Sequence, residues 1–210
     1  MLEEIPALQI MVTGMFFKRP TGANMLHSKR VFKTKTNANG AKERLKAWLV
    51  ACGNKQGFGN DYALTFAAVM VMSIVQVILG LAARRGVPAK LGDIPSAYVN
   101  ADKEKDLEIL LHVPSGMDIK DKQLKKLGAT NASEVALELK KSLYGLKQAG
   151  QLWSQLLHAR FTDAGFKQCI SDMCLNFKRE EEVLTVVGVY VDDLLVTTTR
   201  AAAVEHFFCR

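Results

Sequence analysis

Two adjacent carboxylates, Asp192 and Asp193, stand between the apolar runs Val183–Val191 and Leu194–Thr198. Like charges a few ångströms apart resist joint ionisation, so such a pair at a tight strand-to-strand turn calls for compensation. A divalent cation such as Mg²⁺ provides it, being a hard ion that takes carboxylate oxygens, keeps several waters and is shared with substrate phosphates. Aspartate also serves turns by itself, and the dipeptide alone is compatible with a purely structural role. Asp93 alters that balance. It is another isolated acid in an apolar, strand-like setting, Lys90-Leu91-Gly92-Asp93-Ile94, 99 positions before Asp192. Three carboxylates brought to the ends of neighbouring strands would form a two-metal phosphoryl-transfer site.

Such a site needs strands that end together. The runs flanking Asp192-Asp193 are apolar and β-branched, which predicts a hairpin with the two aspartates as its turn. Ala89–Val99 predicts the neighbouring strand. Between Gln148 and Phe161, the residues Leu152, Trp153, Leu156, Leu157 and Phe161 recur at helical spacing, predicting a helix with one buried face and Trp153 in the core. Val31–Lys35 and Lys46–Val50 flank the turn signal Asn37-Ala38-Asn39-Gly40 and read as a basic β-hairpin. Leu107–Val113 predicts a strand, and residues 114–134 a surface loop with a short helix.

At 210 residues, 49% hydrophobic and 23% charged, the chain cannot be a disordered tail or a collagen-like rod, and it suffices for one large domain or two small ones. It can build a core without disulfides or structural metal. Cys52, Cys169, Cys174 and Cys209 lack the spacing of a zinc site. Glu3 and Glu4 stand where a secretory signal would be basic, so the expected location is intracellular, cytoplasmic or nuclear. The net charge of +7 is uneven: residues 1–60 hold ten Lys or Arg against three acids, and the rest holds eighteen of each sign. A basic segment on a neutral body has the form of a phosphate-contacting surface, and equally of a solvated basic face. Residues 62–83 carry no charge over 22 positions, long enough to span a bilayer. Thr65, Ser73 and Gln76 and the sparse aromatic flanks favour instead a buried core helix from about Ser73 to Arg84. Arg84 and Arg85 then complement its dipole.

Taken together, three segments resemble the reverse transcriptase of copia-type retrotransposons: Tyr190-Val191-Asp192-Asp193, Lys140-Lys141-Ser142-Leu143-Tyr144-Gly145-Leu146-Lys147-Gln148-Ala149, and Asp93-Ile94-Pro95-Ser96-Ala97-Tyr98-Val99-Asn100. Asp61-Tyr62, Thr65-Phe66-Ala67 and the helix end at 81–86 keep the family's order. The resemblance implies an α+β right-hand polymerase fold, with an antiparallel palm sheet packed on helices, fingers present and the thumb absent. An N-terminal extension (1–27) would precede a reverse transcriptase domain (28–210), made of a basic fingers hairpin (28–60) and fingers and palm (61–210), truncated at the C-terminus. By position, Asp93, Asp192 and Asp193 resemble the catalytic carboxylates, binding two Mg²⁺ or Mn²⁺ ions with the carbonyl of Ile94. Tyr98 resembles the aromatic gate against ribonucleotides, and Gln148 and Lys46 resemble nucleotide contacts. Tyr190 would touch the primer. The partners implied are an RNA or DNA template–primer, deoxynucleotides and the remaining polyprotein domains, with no membrane.

The chain departs from the family at Trp48, usually an arginine facing the triphosphate, and at Cys52, Ala68, Val71 and Gln76. Gly92 and Pro95 bracket Asp93, and both are expected to weaken its strand. Three functions follow as alternatives: an RNA-directed DNA polymerase core, an inactive fragment that binds nucleic acid, and a membrane-associated protein spanning with 62–83.

Overall fold

A computed structural model describes residues 15–208, apart from the side chain of Arg44. Expectations that concern residues 1–14, Cys209 and Arg210 lie outside it. The elements begin with β1 (Met15–Lys18), β2 (Met25–Leu26), β3 (Ser28–Thr36), β4 (Lys42–Ala51), α1 (Met72–Arg85), β5 (Ala89–Asp93), the single turn α2 (Ala97–Asn100) and β6 (Leu110–His112). They continue with α3 (Asp121–Leu127), β7 (Val135–Glu138), α4 (Ala149–Asp163), β8 (Lys167–Gln168), β9 (Leu175–Glu180), β10 (Val183–Tyr190), β11 (Asp193–Thr198) and α5 (Ala201–Phe208). The fold is mixed α+β, and it divides into two compact units, Met1–Thr65 with Tyr98–Leu152 and Phe66–Ala97 with Trp153–Arg210.

In the first unit, Asn37 and Gly40 reverse the chain between β3 and β4. The Asn37 carboxamide oxygen accepts from the amides of Asn39 and Ala41, and Gly40 adopts φ +75°. The resulting antiparallel ribbon is the predicted basic hairpin. A second sheet runs β1-β7-β6-β2, so residues 15–18 and 25–26 supply strands to it. The strand expected over 107–113 is confined to β6, and the short helix within 114–134 is α3, ended by Gly128 at φ +64°. The core joins Leu26, Leu49, Ile109, Leu111, Leu137, Leu139 and Leu143.

The glycine of the Tyr144-Gly145-Leu146 segment closes this core by backbone contact. Gly145 lies at φ +88°, and a Cβ there would come 2.2 Å from the Ala51 carbonyl oxygen. A Cβ on Gly53 would lie 2.0 Å from the Gly145 carbonyl oxygen. The two segments are drawn together by the Ala51 amide donating to the Tyr144 carbonyl at 2.7 Å.

The second unit is one antiparallel sheet, β5-β11-β10-β9-β8. The uncharged run folds as α1 over only part of its length, and residues 62–71 are not helical. No helix among the described residues is long and apolar enough to cross a membrane. The expectation of a buried core helix needs correction as well. α1 packs on the sheet along one side, burying Ile78 and Ala82 and leaving Val77 and Leu79 about half exposed. The preceding segment also exposes Leu64, Phe66, Val69 and Val71. Gly188 interrupts the β-branched run of β10 because α1 needs the space: a Cβ there would meet Ile78 Cδ1 at 2.6 Å and Met70 Sδ at 2.7 Å.

Replacing Gly145 by alanine combines left-handed strain with a backbone collision, so a loss of about 2–6 kcal/mol is expected in urea unfolding. Gly22→Ala is the control, since Gly22 has φ +78° and no atom within 4 Å of the added carbon. It should cost only about 1–2 kcal/mol. Equal losses at the two positions would refute the backbone-contact argument.

Candidate active site

In the second unit, the register of the sheet decides which side chains meet. Asp193 pairs with Asp93 across β11 and β5, and with Tyr190 across β11 and β10. Facing residues in a sheet project to the same side, so Asp93, Asp193 and Tyr190 form a row across three strands. The Ile94 amide donates to the Asp192 carbonyl at 2.9 Å. That bond makes Asp93 and Asp193 a non-hydrogen-bonded pair, the arrangement in which opposite Cα atoms are about 4.5 Å apart and side chains are closest. The same face carries Gly188 and Leu195 farther along the strands, beneath Ile78 of α1. The row therefore lies where the helix no longer covers the sheet; Asp93, Asp193 and Tyr190 are all exposed.

The turn differs from the one expected. Tyr190 and Asp193 close the hairpin, so its two loop residues are Val191 and Asp192, and Asp193 already belongs to β11. Val191 has φ +58° whereas Asp192 has no positive φ, the φ pattern of a type II′ turn, where glycine is the usual occupant. A β-branched residue in this region is strained. Two hydrogen bonds from outside the hairpin hold it there: the Trp153 indole donates to the Val191 carbonyl at 2.7 Å, and the Ile94 amide to that of Asp192. Trp153 is a core residue, 5% exposed, and it also anchors the turn. That second role was not legible, because nothing in the helical spacing distinguishes an indole that donates from one that only packs.

The two departures beside Asp93 also find local reasons. β5 ends at Asp93, and Pro95 falls in the following turn with Ser96 at φ +57°. The missing proline donor therefore costs no ladder bond, contrary to expectation. A Cβ on Gly92 would lie 2.3 Å from Phe208 Cε1, so this glycine seats the ring of α5 on the face opposite Asp93.

None of the three carboxylates forms an ion pair with Lys or Arg among the described residues. Nor is any group of three or more His, Cys, Asp or Glu among these residues gathered so as to hold a metal ion. The backbone juxtaposes the acids, while their side chains are not drawn to a common centre. As a donor set they suit a hard divalent cation: uncompensated carboxylates, two of them on adjacent strands.

The other expected site residues belong to the first unit. Gln148 is fully buried, its amide donating to the Asp61 carbonyl at 2.8 Å and to Glu104 at 3.2 Å, and its oxygen accepting from Gln56 at 3.0 Å. Asp61, only 4% exposed, accepts from the Gly57 amide and the Asn24 carboxamide. Lys147 donates to the Gln56 carbonyl and the Tyr62 hydroxyl, and sits 4.5 Å from the Tyr62 ring centroid. Gln148 is thus the centre of a satisfied polar network. Tyr98 is half-buried with its ring centroid 4.9 Å from that of Tyr144. The Lys46 ammonium lies 5.8 Å from the Trp48 ring centroid.

A family model described as reverse transcriptase (RNA-dependent DNA polymerase) matches residues 13–209. The retrovirus-related Pol polyprotein from transposon TNT 1-94 of Nicotiana tabacum is 32% identical over 93% of this chain and 14% of its own length. Those from transposons RE2 and RE1 of Arabidopsis thaliana are 30% and 31% identical over 89% and 85% of this chain. The chain spans only 12% and 11% of these two relatives.

Trp153→Phe keeps an aromatic side chain, though a smaller one, and removes the donor to Val191. The orphaned carbonyl should cost about 1–3 kcal/mol in urea unfolding, and an unchanged midpoint would count against the anchor. For the acid pair, excess Mg²⁺ should raise the melting temperature of the unaltered chain, and Asp193→Asn should abolish most of that rise. In metal-free, low-salt buffer the same substitution should itself stabilise, because it removes a facing like charge. Added NaCl should shrink that gain.

Proposed function

Because the chain belongs to the reverse transcriptase family, in the form carried by copia-type retrotransposons, we propose that it is the fingers-and-palm portion of an RNA-directed DNA polymerase. The observation that carries this reading is the uncompensated pair Asp93 and Asp193 on adjacent strands, with Asp192 on a turn anchored from two sides. In this reading the unit with the basic hairpin corresponds to fingers, and the unit with the five-stranded sheet to palm.

The chemistry supplied by two bound Mg²⁺ or Mn²⁺ ions is activation of the primer 3′-hydroxyl and neutralisation of charge on the triphosphate and pyrophosphate. Asp93, Asp192 and Asp193 would hold them, with the Ile94 carbonyl as a further oxygen donor. Trp153 fixes the turn so that Asp192 and Asp193 keep their spacing. Tyr190, exposed in the same row as the acids, offers a surface to the primer terminus. Tyr98 limits the sugar of the incoming nucleotide and Lys46 meets its phosphates. Gln148, wholly buried, acts by fixing the start of α4 and the Asp61 loop. Template–primer and deoxynucleotides are the substrates, and further polyprotein domains, a thumb among them, are the partners.

A second reading, an inactive fragment that binds nucleic acid, is favoured by one observation: position 48 holds a tryptophan, which cannot give phosphate the bidentate charge of a guanidinium. Primer extension on an RNA template, with Mg²⁺ and separately with Mn²⁺, decides between them. Metal-dependent extension that disappears in Asp192→Asn/Asp193→Asn is the expected outcome. A folded chain that binds template–primer yet extends nothing, alone or joined to its downstream sequence, would establish the second reading.

A further inference from the structure

His27, Cys52 and His112 are distant in sequence, so no spacing signature marks them, and the polymerase reading uses none of them. The register of the first unit sets them side by side. β2 runs parallel to β6 with Leu26 opposite Leu111, which makes the next residues, His27 and His112, neighbours as well. Their rings stack with 4.2 Å between centroids and 17° between planes. On the other flank, β3 and β4 start their pairing at Ser28 and Ala51. The ladder extends one step further through the Cys52 amide, which donates to the His27 carbonyl at 2.7 Å. Facing residues of a sheet project to one side, so a thiol and two imidazoles form a row across three strand ends. His27 is exposed, and His112 and Cys52 are half-buried. Among the described residues neither histidine forms an ion pair, and Cys52 is a free thiol.

We propose that this row is a binding site for a borderline transition-metal cation such as Zn²⁺, with His27, His112 and Cys52 as ligands and water in the fourth position. Neighbouring strands lie about 4.8 Å apart, so the outer pair, Cys52 and His112, is separated by about 10 Å at the backbone. An imidazole and a thiolate reaching inward, with Zn–N of about 2.0 Å and Zn–S of about 2.3 Å, close that span on an ion above His27. As the side chains stand, the two rings lie face to face and no three donors converge. Ligation therefore takes rotation about side-chain bonds, while the backbone keeps its register. The donor chemistry selects the metal: imidazole and thiolate suit Zn²⁺, whereas Mg²⁺ and Ca²⁺ need oxygen ligands, and the row holds no carboxylate. Burial, with His27 and Arg19 beside it, lowers the pKa of the His112 imidazole, which favours the neutral form that ligates. The charge of Arg19 also works against a cation held by electrostatic attraction alone. A bound ion would tie the ends of β2 and β4 to β6, joining the root of the ribbon to the four-stranded sheet.

The test reads metal binding by the whole chain, in reducing buffer and with excess Mg²⁺ to compete for the carboxylates of the second unit. Zn²⁺, titrated against a chromophoric chelator, should bind and raise the melting temperature. His27→Gln/His112→Gln should lower that affinity by more than about a hundredfold, beyond the range for residues that only orient a ligand. Co²⁺ in place of Zn²⁺ should give a thiolate-to-metal charge-transfer band in the near ultraviolet. Cys52→Ser, a one-atom change, should remove the band, and Cys169→Ser should leave it intact. Protons compete for all three ligands, so Zn²⁺ affinity should fall on acidification. An unchanged Zn²⁺ affinity in the double-histidine variant, its folding verified by circular dichroism, would overturn the proposal. Co²⁺ bound without the band, or with a band that survives Cys52→Ser, would do the same, and it decides the matter alone if the double variant misfolds. None of these results touches the polymerase reading, which primer extension tests separately.

Discussion

Two negative charges placed face to face on neighbouring strands are the constraint around which the second unit is arranged. Asp93 and Asp193 occupy a non-hydrogen-bonded register, where cross-strand side chains come closest, and they lack a cationic partner among the described residues. A sheet tolerates this only if its pairing is fixed by other means. β11 supplies much of that fixing, with Leu194 through Thr198 buried behind the acid. α1 covers one face through Ile78, and α5 covers the other, with Val204 fully buried and Phe208 over Gly92. The turn adds strain at Val191, and the bonds from Trp153 and Ile94 over-determine it. Strain maintained by surrounding structure is characteristic of sites that need pre-organisation.

The first unit solves a different problem, the burial of polar groups. Asp61, Gln56 and Gln148 are nearly inaccessible, and each has defined partners. A network of this kind is rigid when complete and costly when a member is lost. Its backbone counterpart is the approach of Gly53, Ala51 and Gly145, where no side chain intervenes. Together they explain why half of a segment as polar as Lys140–Ala149, Ser142 and Gln148 included, is buried.

Much of this was legible in the residues. The basic hairpin followed from Asn37–Gly40 between β-prone runs, and α4 from its helical spacing. Asp93 could be matched to the acidic hairpin because both were isolated charges in apolar runs. What escaped reading depended on contacts between distant segments. A one-residue displacement of the turn, to Val191-Asp192, was hidden because Asp favours turns and Val does not; local preference gave way to the pairing of Tyr190 with Asp193. Gly92 looked like a weakness of its strand until the ring of Phe208 occupied the space. Gln148 looked available to a ligand, since sequence carries no sign that Gln56, Asp61 and Glu104 would surround it. α1 was expected as a core helix because an uncharged run does not say on how many sides it will be covered.

The alternation of β11 bears on how this protein can change over generations. Its acidic residue and its core residue, Asp193 and Leu195, share a face because they are two apart. Loss of a single codon between them would leave the composition almost unaltered and force a choice: keep Asp193 beside Asp93 with Val196 in the place of Leu195 under α1, or keep Leu195 there and turn Asp193 to the opposite side. A replacement at the same place alters one contact, whereas the deletion sets the site against its own foundation. In the exposed loop ahead of α3 the same deletion would meet little resistance. The gene is thus far less tolerant of length change than of spelling change over these few codons.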